Sequence, residues 1–126
     1  MTTRVLVIDD DPAIRDLLLA VLTQEGYAAT AVDSVAGLAS ALTDPPDLIL
    51  LDWLMPKIDG VQVAAVLRAH PATAHVPIIL LTAYIDADRH FLGTRINAIL
   101  HKPFPLADLI AQVRRIIPHV PQGEKH

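Results

Sequence analysis

Five polar residues of this chain follow short aliphatic segments: Asp9, Asp10, Asp52, Thr82 and Lys102. Carboxylates that lie close together repel one another, so they must share protons or bind a cation. Oxygen ligands without cysteine or paired histidines select Mg²⁺, with Mn²⁺ as the second choice, and Asp10 and Asp52 are the expected direct ligands. An aspartate oxygen beside such a metal can attack a phosphoryl group, whose oxygens a lysine and a hydroxyl then hold. The set therefore predicts phosphoryl transfer to a carboxylate.

The segments before these residues predict strands that are buried on both faces, because they are apolar and too short for helices. The predicted strands are Arg4–Ile8, Tyr27–Val32, Leu48–Leu51, Ile78–Leu81 and Ile96–Leu100. Between and after them, helical stripes and their caps predict helices from Asp11 and Pro12 to Gly26, from the candidate cap Ser34 to Pro45, through Val63 and Leu67, near Asp86 to Leu92, and through Leu106 to Ile117.

Five strands that alternate with five helices predict an α/β fold with a doubly wound parallel sheet. In the flavodoxin-like strand order 2-1-3-4-5, strands one and three are neighbours, so their ends lie about 5 Å apart. The crevice beyond the carboxyl ends of the strands is where such sheets bind ligands. This topology would bring Asp9, Asp10, Asp52, Thr82 and Lys102 to one edge.

The order of these residues resembles the receiver domain of two-component response regulators, including the chemotaxis regulators. The resemblance covers Arg4 to Ile117 and rests on VLVIDDDP, LILLDWLMPKIDG, VPIILLTA and HKPF. It implies that Asp52 is the phosphoacceptor and that Asp9 and Asp10 are the acidic metal pair. It also implies that the backbone carbonyl of Leu54 is a further metal ligand.

The same resemblance assigns the remaining polar residues. Thr82 would be the switch hydroxyl, and Lys102 would be the partner of the phosphoryl group, directly before a cis Pro103. The family usually has Tyr or Phe three residues before the lysine, where this chain has Ile99, which puts aromatic gating in doubt. We also predict slow self-dephosphorylation, because Leu54 and Tyr84 would crowd the site against an attacking water.

The resemblance implies a signalling switch rather than an enzyme, although such a domain can assist its own phosphorylation and dephosphorylation. A sensor histidine kinase or a phosphotransfer protein would supply the phosphoryl group. The surface formed by the fourth helix, fifth strand and fifth helix would then change and control an output partner that the sequence does not reveal. A homodimer through that surface is a further expectation.

Composition limits the alternatives. Residues 1–118 suit one domain, and 119–126 suit a flexible tail or the start of a linker. The chain has no cysteine, a net charge of −4 and no long apolar segment, so we expect a cytoplasmic protein without membrane contact or direct nucleic-acid binding. Its six histidines show no paired ligand spacing, and we expect them to face solvent rather than to bind zinc.

Three other functions would also use an acidic edge or this topology. An aspartate-dependent phosphatase would use an acid after strand one, but the chain leaves little room for the cap insertion of such enzymes. A flavin-binding module would need a phosphate loop where Asp9, Asp10 and Asp11 would repel the phosphate. The third rival is a receiver-like interaction domain that is not phosphorylated, which Ile99 favours and the intact acids oppose.

Overall fold

A computed structural model describes residues 3–53, 60–83 and 95–117 of the chain. Their elements, in chain order, are β1 (Arg4–Ile8), α1 (Pro12–Gln24), β2 (Ala28–Val32), α2 (Ser34–Thr43), β3 (Leu48–Asp52), α3 (Gly60–Ala69), β4 (Ile78–Thr82), β5 (Ala98–His101) and α4 (Leu106–Ile116).

All neighbouring strands pair in parallel, in the order β2-β1-β3-β4-β5. This confirms the predicted fold class and strand order. The described ranges contain four helices, while the helix predicted near Asp86 to Leu92 lies outside them. None of the helices in these ranges is long and apolar enough to cross a bilayer.

Alternation along the strands divides the core into two layers. The three central strands, β1, β3 and β4, are almost entirely buried, as expected for strands covered by helices on both faces. One layer packs against α1 and α4 and contains Val5, Val7, Leu48, Leu50, Ile79 and Leu81. The other packs against α2 and α3 and contains Leu6, Ile8, Ile49, Leu51, Ile78 and Leu80.

Aspartates cap the first two helices. The Asp11 side chain accepts a hydrogen bond from the Ala13 amide at 2.9 Å, which confirms its predicted capping role. The prediction that Ser34 caps the second helix was wrong. The cap is Asp33, whose side chain accepts a hydrogen bond from the Ala36 amide at 2.9 Å. An aspartate satisfies a free helix N–H group as well as a serine does, and the Ser34 hydroxyl is engaged elsewhere.

The last strand begins two residues later than the predicted Ile96. Just before it, the Asn97 side-chain oxygen accepts from the Ile78 amide at 2.9 Å. The Asn97 side chain thus replaces a backbone carbonyl as the acceptor for Ile78 at the start of β4. Regular pairing of β5 with β4 begins at Ala98.

Arg68, in the last turn of α3, fastens the segments that lead into β4 and β5. Its guanidinium donates to the carbonyl oxygen of Val76 at 2.6 Å and to that of Arg95 at 2.7 Å. Longer hydrogen bonds reach the carbonyls of Thr73 and Ala74. The last residue of β4 is Thr82, and Lys102 directly follows β5. This arginine therefore helps to fix the two strands that position these predicted site residues.

We predict that Arg68→Lys lowers the free energy of unfolding by about 1–3 kcal/mol, because an ammonium group cannot reach carbonyl groups in so many directions. Urea denaturation measures the change. The control is Arg115→Lys, since Arg115 is exposed and its guanidinium donates to the Gln112 side chain one turn earlier. Its expected change is below about 0.5 kcal/mol. Equal losses in the two variants would contradict the role of Arg68.

Candidate functional site

The register of the central strands brings the predicted site residues to one sheet edge. Ile8 pairs with Leu51, so Asp9 and Asp52 directly follow that pair on neighbouring strands. Asp52 pairs with Leu81 on β4, one residue before Thr82. Hence β1, β3 and β4 all end at the same level.

Lys102 connects the two buried acids. Its Nζ lies 2.9 Å from Asp52 Oδ1 and 3.9 Å from Asp9 Oδ2. Its backbone N–H donates to the Thr82 carbonyl at 2.6 Å, which anchors the lysine beside β4. The side chain remains 31% exposed, so its ammonium group can be reached from solvent. The Lys102–Pro103 bond is cis, as predicted.

Asp9 is fully buried, yet only one of its carboxylate oxygens has a hydrogen-bond partner. Oδ1 accepts from the Asp11 amide at 2.9 Å, whereas Oδ2 is buried without a hydrogen-bond partner and has only the Lys102 ammonium at 3.9 Å. Burial raises the pKa of Asp9, and the charge of Asp52 raises it further. A buried oxygen without a partner is energetically unfavourable, and a cation at this position would satisfy it.

Asp52 is also largely buried, with 8% of its surface exposed. Burial raises the pKa of its carboxyl group, while the hydrogen bond from Lys102 works in the opposite direction. The charge of nearby Asp10 contributes a further increase of this pKa. The site therefore holds more negative charge than its lysine balances.

The carboxylate of Asp10 is held by Ser34, the first residue of α2. Its Oδ1 accepts from the Ser34 amide at 2.7 Å, and its Oδ2 accepts from the Ser34 hydroxyl at 3.1 Å. Within residues 3–53, 60–83 and 95–117, no three acidic or histidine side chains are already grouped to hold a metal ion. The donors nevertheless fit Mg²⁺: they are all oxygens, and Asp9 Oδ2 lacks a hydrogen-bond partner.

Two further features shape this edge. Thr82 is buried, as a residue that ends a central strand should be. Gly60 donates its N–H to the Trp53 carbonyl at 2.9 Å, and a Cβ atom here would lie 2.8 Å from the Trp53 Cα. Only a glycine allows α3 to begin so close to the residue that follows Asp52. Leu54 and Tyr84, predicted to ligate the metal and to crowd the site, lie outside the described residues.

Sequence reasoning missed the role of Ser34, which it assigned to capping. The partner of Ser34 is Asp10, 24 residues earlier, and no local pattern reveals such a distant contact. It also missed Arg15, whose guanidinium donates to the Asp9 carbonyl at 2.8 Å. Of the histidines, His70, His75 and His101 are exposed as predicted, and the other three lie outside the described residues.

Comparison with known proteins identifies relatives of this arrangement. A sequence model described as the response regulator receiver domain matches residues 5–114. The chain is 40% identical over 129 residues to the DNA-binding dual master transcriptional regulator RpaA of Synechocystis, covering 98% of this chain and 54% of RpaA. It is 41% identical over 119 residues to the response regulator PleD of Caulobacter vibrioides, covering 92% of this chain and 26% of PleD. The chain thus spans about half or less of these relatives.

Solved structures agree with the sequence relatives. The chemotaxis protein CheY4 of Vibrio cholerae matches with a TM-score of 0.86 at 25% identity, covering 93% of this chain and all of that one. The receiver domain of the sensor histidine kinase PA1611 from Pseudomonas aeruginosa matches with a TM-score of 0.84 at 33% identity, covering 94% of this chain and all of that one. That structure holds a magnesium ion coordinated in its active site cleft.

The raised pKa of Asp9 predicts that its negative charge destabilises the metal-free protein at neutral pH. Since the folded-state pKa lies above the unfolded value, the stabilising contribution of protonated Asp9 is complete below the unfolded-state pKa and is lost as the pH rises through the folded-state pKa. We expect Asp9→Asn, in EDTA at pH 7, to raise the free energy of unfolding by about 1 kcal/mol. The gain should shrink as the pH falls through the folded-state pKa.

Urea denaturation across this pH range measures the effect. Asp16→Asn is the control, because Asp16 is exposed on α1. This substitution should change the free energy of unfolding by no more than about 0.5 kcal/mol throughout the range. A loss of stability in Asp9→Asn at pH 7 would show that the charge of Asp9 is well accommodated, contrary to this prediction.

Proposed function

This chain belongs to the response regulator receiver domain family, and we propose on that premise that it is a phosphoryl-accepting switch that a histidine kinase phosphorylates on Asp52. The donor is either the sensor kinase or a phosphotransfer protein. The observation that carries the proposal is the contact of Lys102 Nζ with Asp52 Oδ1 at 2.9 Å, next to Asp9 Oδ2, which has no hydrogen-bond partner. It combines a nucleophile, a cation and an unfilled oxygen ligand at one edge.

The transfer makes one bond and breaks one. An Oδ atom of Asp52 attacks the phosphorus of a phosphohistidine, a P–O bond forms, and the P–N bond breaks with its electron pair going to the imidazole. The product is an acyl phosphate on Asp52. Burial supports this step, because a largely desolvated carboxylate is a stronger nucleophile than a hydrated one.

The residues around Asp52 have distinct parts in this proposal. Asp9, Asp10, Asp52 and the carbonyl of Leu54 would hold Mg²⁺. When bound, Mg²⁺ supplies positive charge to the oxygens of the transferred group. Lys102 would move its ammonium group from Asp52 Oδ1 to a phosphoryl oxygen.

Thr82 is proposed as the residue that reports the modification. It stands one residue beyond the partner of Asp52 on β4, and its backbone carbonyl already contacts the amide of Lys102. A hydrogen bond from its hydroxyl to the phosphoryl group would pull the end of β4 toward Asp52. The added charge would thereby bias the surface beside β5 and α4 between two states, with an output partner or a second copy as the reader.

Ile99 stands where the family usually has a Tyr or Phe whose ring moves on activation, so a rotating ring cannot transmit the change here. Ile99 is partly buried and packs against the core layer under α2 and α3. A β-branched side chain held in a core has few rotamers to exchange. We propose that Thr82 acts here through backbone displacement rather than through rotation of a ring.

A donor can approach the site along an apolar groove between α1 and the start of α4. The groove has a volume of about 480 Å³, and its lining includes Ile14, Leu17, Phe104 and Lys102. Leu17 is 45% exposed, a high value for a leucine next to a charged site. The groove reaches Lys102 itself, so a helical donor seated there would present its phosphoryl group near Asp52.

We predict that acetyl phosphate with Mg²⁺ adds one phosphoryl group to the wild type and none to Asp52→Asn, measured by intact mass. Lys102→Ala should react about 10²-fold more slowly, because it lacks the cation that stabilises the transferred group. Asp16→Asn should react like the wild type. No gain of mass in the wild type would favour a receiver-like interaction domain that is not phosphorylated.

A further inference from the structure

The carboxylate of Asp10 is held by Ser34. Both of its oxygens accept hydrogen bonds from this one residue, from the amide at 2.7 Å and from the hydroxyl at 3.1 Å. Asp10 is only half-buried, whereas Ser34 is 1% exposed. The contact therefore joins the end of β1 to the first residue of α2.

The Asp10 carboxylate is bound by Ser34 rather than by Lys102. Lys102 forms ion pairs with Asp9 and Asp52, and the described ranges contain no grouping of three acids ready for a metal. Grouping Asp10 with the other two acids around a metal would require its side chain to turn, and that turn would stretch or break a hydrogen bond to Ser34. The hydroxyl is the partner more easily given up, because its hydrogen bond is the longer one and can rotate.

Releasing Asp10 has a cost that the burial of Ser34 determines. A buried hydroxyl without its acceptor is unfavourable by an amount comparable to a lost hydrogen bond. That penalty is subtracted from the affinity of any cation that Asp10 binds. A residue without a hydroxyl at position 34 would leave no buried donor without an acceptor when Asp10 is released.

We propose that the Ser34 hydroxyl competes with Mg²⁺ for Asp10 and thereby weakens metal binding while it stabilises the metal-free state. This inference rests on the proposed function, since it takes Asp10 as a metal ligand. Ser34 is a positioning residue: it acts on the metal site through Asp10. Metal binding and the start of α2 are coupled through this exchange of partners.

The test is the Mg²⁺ dissociation constant of the wild type and of Ser34→Ala, measured by calorimetry and by fluorescence of Trp53, the sole tryptophan of the chain. We expect Ser34→Ala to bind Mg²⁺ about threefold to thirtyfold more tightly. In EDTA the variant should unfold at a temperature about 2–5 °C lower, because the metal-free state loses a hydrogen bond. With saturating Mg²⁺ this difference should shrink or vanish.

Ser34→Gly should behave like Ser34→Ala, which assigns the effect to the missing hydroxyl rather than to an added methyl group. Thr43→Ala is the matched control, because it removes a hydroxyl that bonds Ala39 O at 2.8 Å on the same helix. It should leave the Mg²⁺ affinity unchanged and lower the unfolding temperature equally with and without metal.

The outcomes separate this inference from the proposed function. Unchanged or weaker Mg²⁺ binding in Ser34→Ala, with normal binding in the wild type, would overturn the competition and leave the proposed function intact. Weaker binding would mean that Ser34 orients Asp10 for the metal instead. If the wild type bound no Mg²⁺ by either readout, both the competition and the metal-dependent switch would be overturned.

Discussion

The structure depends on one electrostatic constraint: parallel pairing of β1 with β3 forces Asp9 and Asp52 to the same sheet edge, where both are buried. Burial raises the pKa of both carboxyl groups, and the charge of Asp52 raises the pKa of Asp9 further. Lys102 compensates only in part. A fold that served stability alone would place apolar residues here. This unfavourable arrangement leaves one oxygen of Asp9 without a hydrogen-bond partner.

The rest of the molecule keeps this edge in position. Arg68 fastens the segments that lead into β4 and β5, and Gly60 lets α3 begin against the backbone of Trp53. Ser34 fixes the carboxylate of Asp10 at the start of α2. A few defined contacts can therefore change when charge is added, while the apolar layers on either side of the sheet stay fixed.

The fold and most of the site could be predicted from the sequence, because short apolar strands that end in polar residues define both the sheet and its functional edge. The strand order and the contact of Lys102 with Asp52 agree with that reading. The Ser34 contact could not be predicted, since it joins residues 24 positions apart and a serine before a helix ordinarily indicates a cap. The true cap, Asp33, is an equally good capping residue at the adjacent position, which local propensity could not distinguish.

The most direct test of the central claim is to locate the modified residue chemically. The protein is phosphorylated with acetyl phosphate and Mg²⁺ and then reduced with borohydride, which converts an aspartyl phosphate to homoserine, and its peptides are sequenced by mass spectrometry. We expect homoserine at position 52 and unchanged aspartate at Asp9, Asp10 and Asp11. Homoserine at one of those three positions, or aspartate at all four, would contradict the assignment of Asp52 as the phosphoacceptor.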